Sequence, residues 1–126
     1  MFKNSIQLLA ILLTLFSCEY QYNYTYLIEN VTDKTYNGKL TTLIDTTNIT
    51  LSANTTSEVF TFFGGIEGKN FQLGDRRDFK WELDSLYLKT SDTTRSKNLA
   101  DKNLWDFESK NREGIYKLTL TEALLN

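Results

Sequence analysis

Tyr22, Tyr24, Tyr26 and Ile28 alternate with Asn23, Thr25, Leu27 and Glu29. Successive side chains of a strand leave the pleated backbone on opposite sides, so this period of two gives the segment one aromatic and aliphatic face that must be buried. The end of the chain repeats the device, with Tyr116, Leu118 and Leu120 set against Ile115, Lys117 and Thr119 after Gly114. Shorter runs lie between. Tyr36, Leu40, Thr42 and Ile44 form the inward row of a second strand, although Asn37-Gly38 leaves open a tight hairpin turn that would split it. Ile49 with Leu51, and then Glu58 to Phe63, read as two strands joined by the turn residues Ser52-Ala53-Asn54-Thr55. Phe79, Trp81 and Leu83 share a phase that Leu86 and Leu88 reverse, which predicts a bulge near Asp84-Ser85.

The punctuation agrees with this pattern. Asn30-Val31-Thr32-Asp33 and Asp45-Thr46-Thr47 carry side chains that bond their own backbone in turns. Gly64-Gly65 and Gly68 mark a flexible loop, and Thr90 to Asp101 is polar and unpatterned, a long loop or weakly structured insertion. Thr121 to Asn126 is a short tail with room for one helical turn, and no stretch sustains a helical period. About seven short runs with regular turn signals predict an all-β fold, a two-sheet antiparallel sandwich. The chain has no proline. Its edge strands need another form of protection, for which Lys39, Lys89 and Lys117 are the candidates.

The first residues follow a different logic. A positive start with Lys3, an apolar run from Ile6 to Phe16 and the small Ser17 before Cys18 are the parts of a secretory leader. The run is too short for a spanning helix, which needs roughly 20 apolar residues. Leu15 is too large for ordinary leader cleavage after Ser17, whereas cleavage before Cys18 fits. Residues 1–17 are therefore read as a signal peptide and 18–126 as a single domain.

Leu15-Phe16-Ser17-Cys18 is similar to the bacterial lipobox, with Phe16 in place of the usual small residue. The resemblance implies that Cys18 is diacylated on sulfur and anchors the domain through its acyl chains, two or three of which hold a protein stably. Cys18 is the only cysteine, so lipidation leaves no thiol for a disulfide, a metal or a nucleophile. The tyrosine-rich first strand, Asn30 at its end, Ile49-Thr50-Leu51 before an Asn-containing turn and the closing GIYKLTLTE resemble small lipoproteins of Bacteroidetes-type envelopes that carry an immunoglobulin-like or fibronectin-like sandwich. That resemblance implies an outer-membrane lipoprotein with no assigned activity, its periplasmic face favoured because Glu19 alone follows Cys18 as an acid.

Composition narrows the chemistry. With Lys3 removed, 13 of the 14 basic residues face 16 acidic ones, a balance of −3 that argues against nucleic acid as a partner. Arg76-Arg77 is flanked by Asp75 and Asp78 and reads as a solvated mixed-sign loop. Histidine is absent, and the usual general base and the commonest neutral metal ligand go with it. Asp75, Asp78, Glu82 and Asp84 are the nearest thing to paired carboxylates. Asp101, Asn103 and Asp106 match part of a calcium loop without its turn glycine and closing glutamate. The expectation is a chain with no catalytic residues, no metal and no cofactor.

Trp81, Tyr87 and Trp105 are the candidate ligand-binding residues, since flat rings with polar neighbours recognise sugars, although in a small β domain such rings serve packing first. Asn23, Asn30, Asn48 and Asn54 lie in Asn-X-Ser/Thr triplets, and Asp84-Ser85-Leu86 resembles an O-glycosylation pattern. The sequence thus favours a lipid-anchored, non-catalytic envelope protein that serves protein interaction or a structural role. A glycan-binding module is the competing reading.

Overall fold

The computed structural model describes residues 22–65, 81–110 and 113–126. Cys18 and the expected leader, Gly68, Asp75, Arg76, Arg77, Asp78 and Phe79 lie outside the described residues. The seven strands are β1 (Tyr22–Asn30), β2 (Tyr36–Thr42), β3 (Thr46–Leu51), β4 (Thr55–Gly65), β5 (Leu83–Leu88), β6 (Asp106–Lys110) and β7 (Glu113–Leu120). They form a four-stranded sheet in the order β4-β1-β7-β6 and a three-stranded sheet in the order β3-β2-β5. The all-β two-sheet sandwich expected from the alternation is what the chain forms.

Its strand pairs are antiparallel with one exception, β1 beside β7, which run parallel from Asn23 opposite Glu113 to Asn30 opposite Leu120. The β2–β5 and β6–β7 pairs also occur in the immunoglobulin order, whereas β1 here joins β4 and β7 rather than β2. The first and last strands therefore sit side by side in the middle of one sheet. Asn37-Gly38 lies within β2 and makes no turn, Ile44 is exposed in the β2–β3 connection, and the turn at Ser52–Asn54 carries the chain from one sheet to the other. Asn54 takes φ 54°, a left-handed conformation that asparagine accepts more readily than most residues. The bulge falls where the phase change placed it, because Thr41 faces Ser85 and Thr42 faces Leu83, leaving Asp84 as the extra residue.

The core is an aromatic layer between the sheets. Tyr26 stacks on Tyr116 with centroids 5.1 Å apart, Trp81 stands edge-on to both, and Trp105 meets Tyr26 and Trp81 edge-on. Phe60 and Phe107 flank the stack. Burying each large side chain contributes about 1.5–3 kcal/mol, and each well-oriented ring pair adds about 0.5–1.5 kcal/mol. Burial pushes the Tyr26 phenol well above its ordinary value of about 10, while the Glu82 backbone N–H, which donates to its oxygen at 3.3 Å, opposes that shift.

Asn30 closes the inward row of β1 with a buried amide. Its Nδ2 donates to the carbonyls of Lys34, Leu51 and Ser52 at 2.8, 3.2 and 3.1 Å, and its Oδ1 accepts from the Thr32 N–H and hydroxyl. One side chain thus ties the end of β1 to the end of β3 in the other sheet. Its burial also withdraws the acceptor amide of the Asn30 triplet from solvent in the folded state.

The segment after β5 differs from the loop expected there. Its N–H groups at Ser96 and Leu99 donate to the Leu88 and Leu86 carbonyls, and the side chains of Ser96 and Asn98 accept from the Leu88 and Leu86 N–H groups. The edge of β5 is thereby covered by chain, which is how this edge escapes open pairing. Lys39 and Lys117 do not guard edges: they occupy the interior strands β2 and β7, where Lys117 pairs with Glu29 at 3.1 Å. Lys89, just past β5, bridges to Arg95. Helix α1 (Glu122–Leu125), capped by the Thr121 hydroxyl, forms the expected helical tail. No helix among the described residues is long and apolar enough to cross a membrane.

Replacing Asn30 with Ala removes the donors of three carbonyls and the acceptor for Thr32, and should destabilise the domain by about 2–4 kcal/mol in urea titration. The raised Tyr26 phenol sets a second expectation. The native state holds this proton more tightly than the unfolded chain, so its stabilising effect is complete below pH about 10 and is lost as the pH climbs beyond that. Between pH 10 and 11 the wild type should lose up to about 1.4 kcal/mol more than Tyr26→Phe. Equal losses in the two proteins would rule out this coupling.

Candidate functional site

The outward rows of the three-stranded sheet form a groove built from three strands. Burial of Tyr36, Leu40 and Thr42 turns Asn37, Lys39 and Thr41 outward from β2, and the register sets Asn48 and Thr50 beside them from β3 and Ser85 and Tyr87 from β5. Lys39 stands between Asn48 on one side and Tyr87 on the other. These residues line a groove of about 760 Å³ together with Lys89 and Arg95. Ile49 and Leu88 also line it, so polar groups sit beside apolar surface, and the Thr50 hydroxyl donates to Asn37 Oδ1 at 2.8 Å.

Arg95 arrives from a turn that the sequence builds locally. The Ser91 hydroxyl accepts from the Thr93 and Thr94 N–H groups, and the Thr90 N–H donates to the Thr94 carbonyl, reversing the chain so that Arg95 pairs with Lys89. The Arg95 Cζ then sits 4.0 Å over the centre of the Tyr87 ring, whose negative face attracts the cation. Among the described residues, no carboxylate forms an ion pair with Lys39, Lys89 or Arg95, and none lines the groove. A second groove of about 470 Å³, lined in part by Lys34, Ser91 and Asp92, shares Asn37 and Lys89 with the first.

The opposite outer face carries the other sign. Strand register and burial turn Glu29, Glu58, Asp106, Glu108 and Glu113 outward from the four-stranded sheet, with Lys117 among them. The net charge is small, but its distribution is two-sided. A cationic patch on an acidic chain attracts anions at short range, within a Debye length of about 8 Å in physiological salt.

The three aromatic candidates do not share a face. Trp105 is 1% exposed, with its indole N–H donating to the Leu99 carbonyl at 2.8 Å. Trp81 is half-buried against the core and donates to the Ala100 carbonyl at 2.9 Å. Only Tyr87 faces outward, and Arg95 covers its ring. Of the described carboxylates, Glu82 is buried and Asp84 is exposed at the bulge, so they do not face one another. Asp101 caps a single 3-10 turn, Lys102–Leu104, by accepting from the Asn103 N–H, and Asp106 opens β6. Among the described residues no group of three or more acidic, His or Cys side chains is placed to hold a metal ion. Asn48 and Asn54 are exposed, Asn23 is half-buried, and Ser85 is half-buried on the groove side of β5.

Arg95 was not legible as a site residue, because it lies 56 positions from Lys39 in a loop without pattern. The only available signal was the outward phase of Lys39 against Leu40. No protein-family model, no curated protein and no solved structure matches this chain.

Gly38 keeps β2 and β5 close beneath the groove. A Cβ there would collide with the Tyr87 carbonyl oxygen and lie 2.7 Å from Leu88 Cδ2. Gly38→Ala should cost about 1–3 kcal/mol in thermal or urea unfolding, since backbone must move to admit the methyl group.

Proposed function

We propose that this chain is a non-catalytic envelope lipoprotein, tethered to a bacterial membrane through acyl chains on Cys18, and that it works by binding through the outer face of β3-β2-β5. The observation that carries the reading is the collection of Lys39, Lys89 and Arg95 on one outer face, with no carboxylate among the groove's lining residues, while Glu29, Glu58, Asp106, Glu108 and Glu113 collect on the other. Solvated surface charge needs no such sorting, whereas recognition of an oppositely charged envelope partner does. The outer membrane, on its periplasmic side, is the proposed location, and no cofactor or nucleic acid enters the proposal.

The anchoring half draws support from the far end of the sandwich. Asn30 binds the end of β1 to that of β3, so the β2–β3 hairpin tip lies at the opposite end, where β1 begins. Leu43 and Ile44 at that tip are 60% and 77% exposed, and Phe63, near the end of β4, is 71% exposed. Tyr22 is four positions after Cys18, so an anchor at Cys18 would leave these side chains at the membrane-proximal end of the domain. Two or more acyl chains bind stably where one is marginal, at about 0.8 kcal/mol per buried methylene.

Metabolic labelling with radioactive palmitate tests the anchor. The wild type should take up label and begin, by mass spectrometry, at a modified Cys18, while Cys18→Ser should carry none. A free thiol at Cys18 in an unlabelled wild type would end the lipoprotein reading.

A further inference from the structure

We propose that the β3-β2-β5 groove binds an acidic oligosaccharide, with its carboxylate or phosphate held by Arg95 and Lys89 and its hydroxyl groups bonded along Asn37, Asn48 and Thr50. This deepens the reading of that face as the working surface and rests on it. Guanidinium donors suit carboxylate and phosphate because their N–H groups engage two oxygens at once. Stacking on Tyr87 holds Arg95 over the groove before a ligand arrives, which reduces the side-chain entropy lost on binding. Tyr87 is therefore a positioning residue for Arg95, not a sugar platform.

The rest of the groove selects among polyanions. Protein interfaces centre on protruding apolar anchors that become desolvated, yet the exposed large hydrophobic residues Val31, Leu43, Ile44 and Phe63 lie outside this groove, and its own apolar residues, Ile49 and Leu88, are half-buried and buried. Single-stranded nucleic acid is held by bare aromatic faces on which bases stack, and here the one aromatic ring lies under Arg95. What remains is a set of amides and hydroxyls on Asn37, Thr41, Asn48, Thr50 and Ser85 beside the apolar surface of Ile49 and Leu88, a mixture that suits a sugar ring with its hydroxyl edges and C–H faces. The volume of about 760 Å³ falls within the roughly 300–1,000 Å³ of small-ligand clefts.

Calorimetry on the full-length chain in detergent tests this, with hexagalacturonate and a phosphorylated mannose oligosaccharide as probes. Controls are the carboxyl-reduced neutral hexamer, a single-stranded DNA and a glutamate peptide of matched charge. At least one acidic sugar should bind ten-fold or more tighter than every control, and its affinity should fall as salt rises. Arg95→Ala and Lys89→Ala should each weaken it at least five-fold, and Asn48→Ala measurably. Tyr87→Ala should behave like Arg95→Ala, whereas Tyr87→Phe, which keeps the ring, should retain affinity. Binding of neither acidic sugar, equal binding of DNA or peptide, or indifference to Arg95→Ala at unchanged melting temperature would overturn the proposal. Photo-crosslinking from position 48 in intact cells separates the two levels. Crosslinks to a protein without sugar binding would overturn the glycan and keep the face as a binding surface, while neither crosslinks nor sugar binding would overturn both.

Discussion

The row Tyr24, Tyr26 and Ile28 on β1 holds this molecule together, because it sits at the centre of the larger sheet and faces the other across the aromatic layer. No disulfide is available to a chain with one cysteine. The stability of a small domain then rests on burial, and large rings bury the most surface per residue. β1 lies between β4 and β7, so its pairing closes the whole span of chain from Asn23 to Leu120 in one sheet. The Asn30 amide completes the closure by bonding to carbonyls at the end of β3 in the other sheet.

Filling the interior with rings has a consequence for the surface. Both tryptophans are drawn toward the core, where their indole N–H groups bond to the Leu99 and Ala100 carbonyls. These bonds also hold the segment after β5 against the sheet. The same segment covers the β5 edge and, a few residues earlier, delivers Arg95 onto Tyr87. Core packing, edge protection and the cationic groove thus share one stretch of polypeptide. Loss of its anchoring would disturb all three together.

Much of the architecture was visible in the alternation. The rows of β1 and β7 are buried as their period required, and the reversal of phase between Leu83 and Leu86 located the bulge at Asp84. A period of two reports which side chains share a face. It does not report which strand lies next to which, so the parallel β1–β7 pair and the interior positions of Lys39 and Lys117 were not readable. Strand β6 escaped because Asp106-Phe107-Glu108 offers only one apolar residue, and its partner Tyr116 supplies the reason it folds.

The candidate site divides along the same line. Local order in the chain, read residue by residue, determined that this is a two-layer β domain with a short helical tail and a single cysteine after an apolar run. Only tertiary structure decided that Trp105 is interior, that Tyr87 faces out under Arg95, and that Lys39, Lys89 and Arg95 gather on the outer face opposite the one that holds Glu29, Glu58, Asp106, Glu108 and Glu113. The physical reason is distance: alternation is set by bonds between neighbours, whereas a groove is assembled from strands that meet only after the core has chosen which faces to bury.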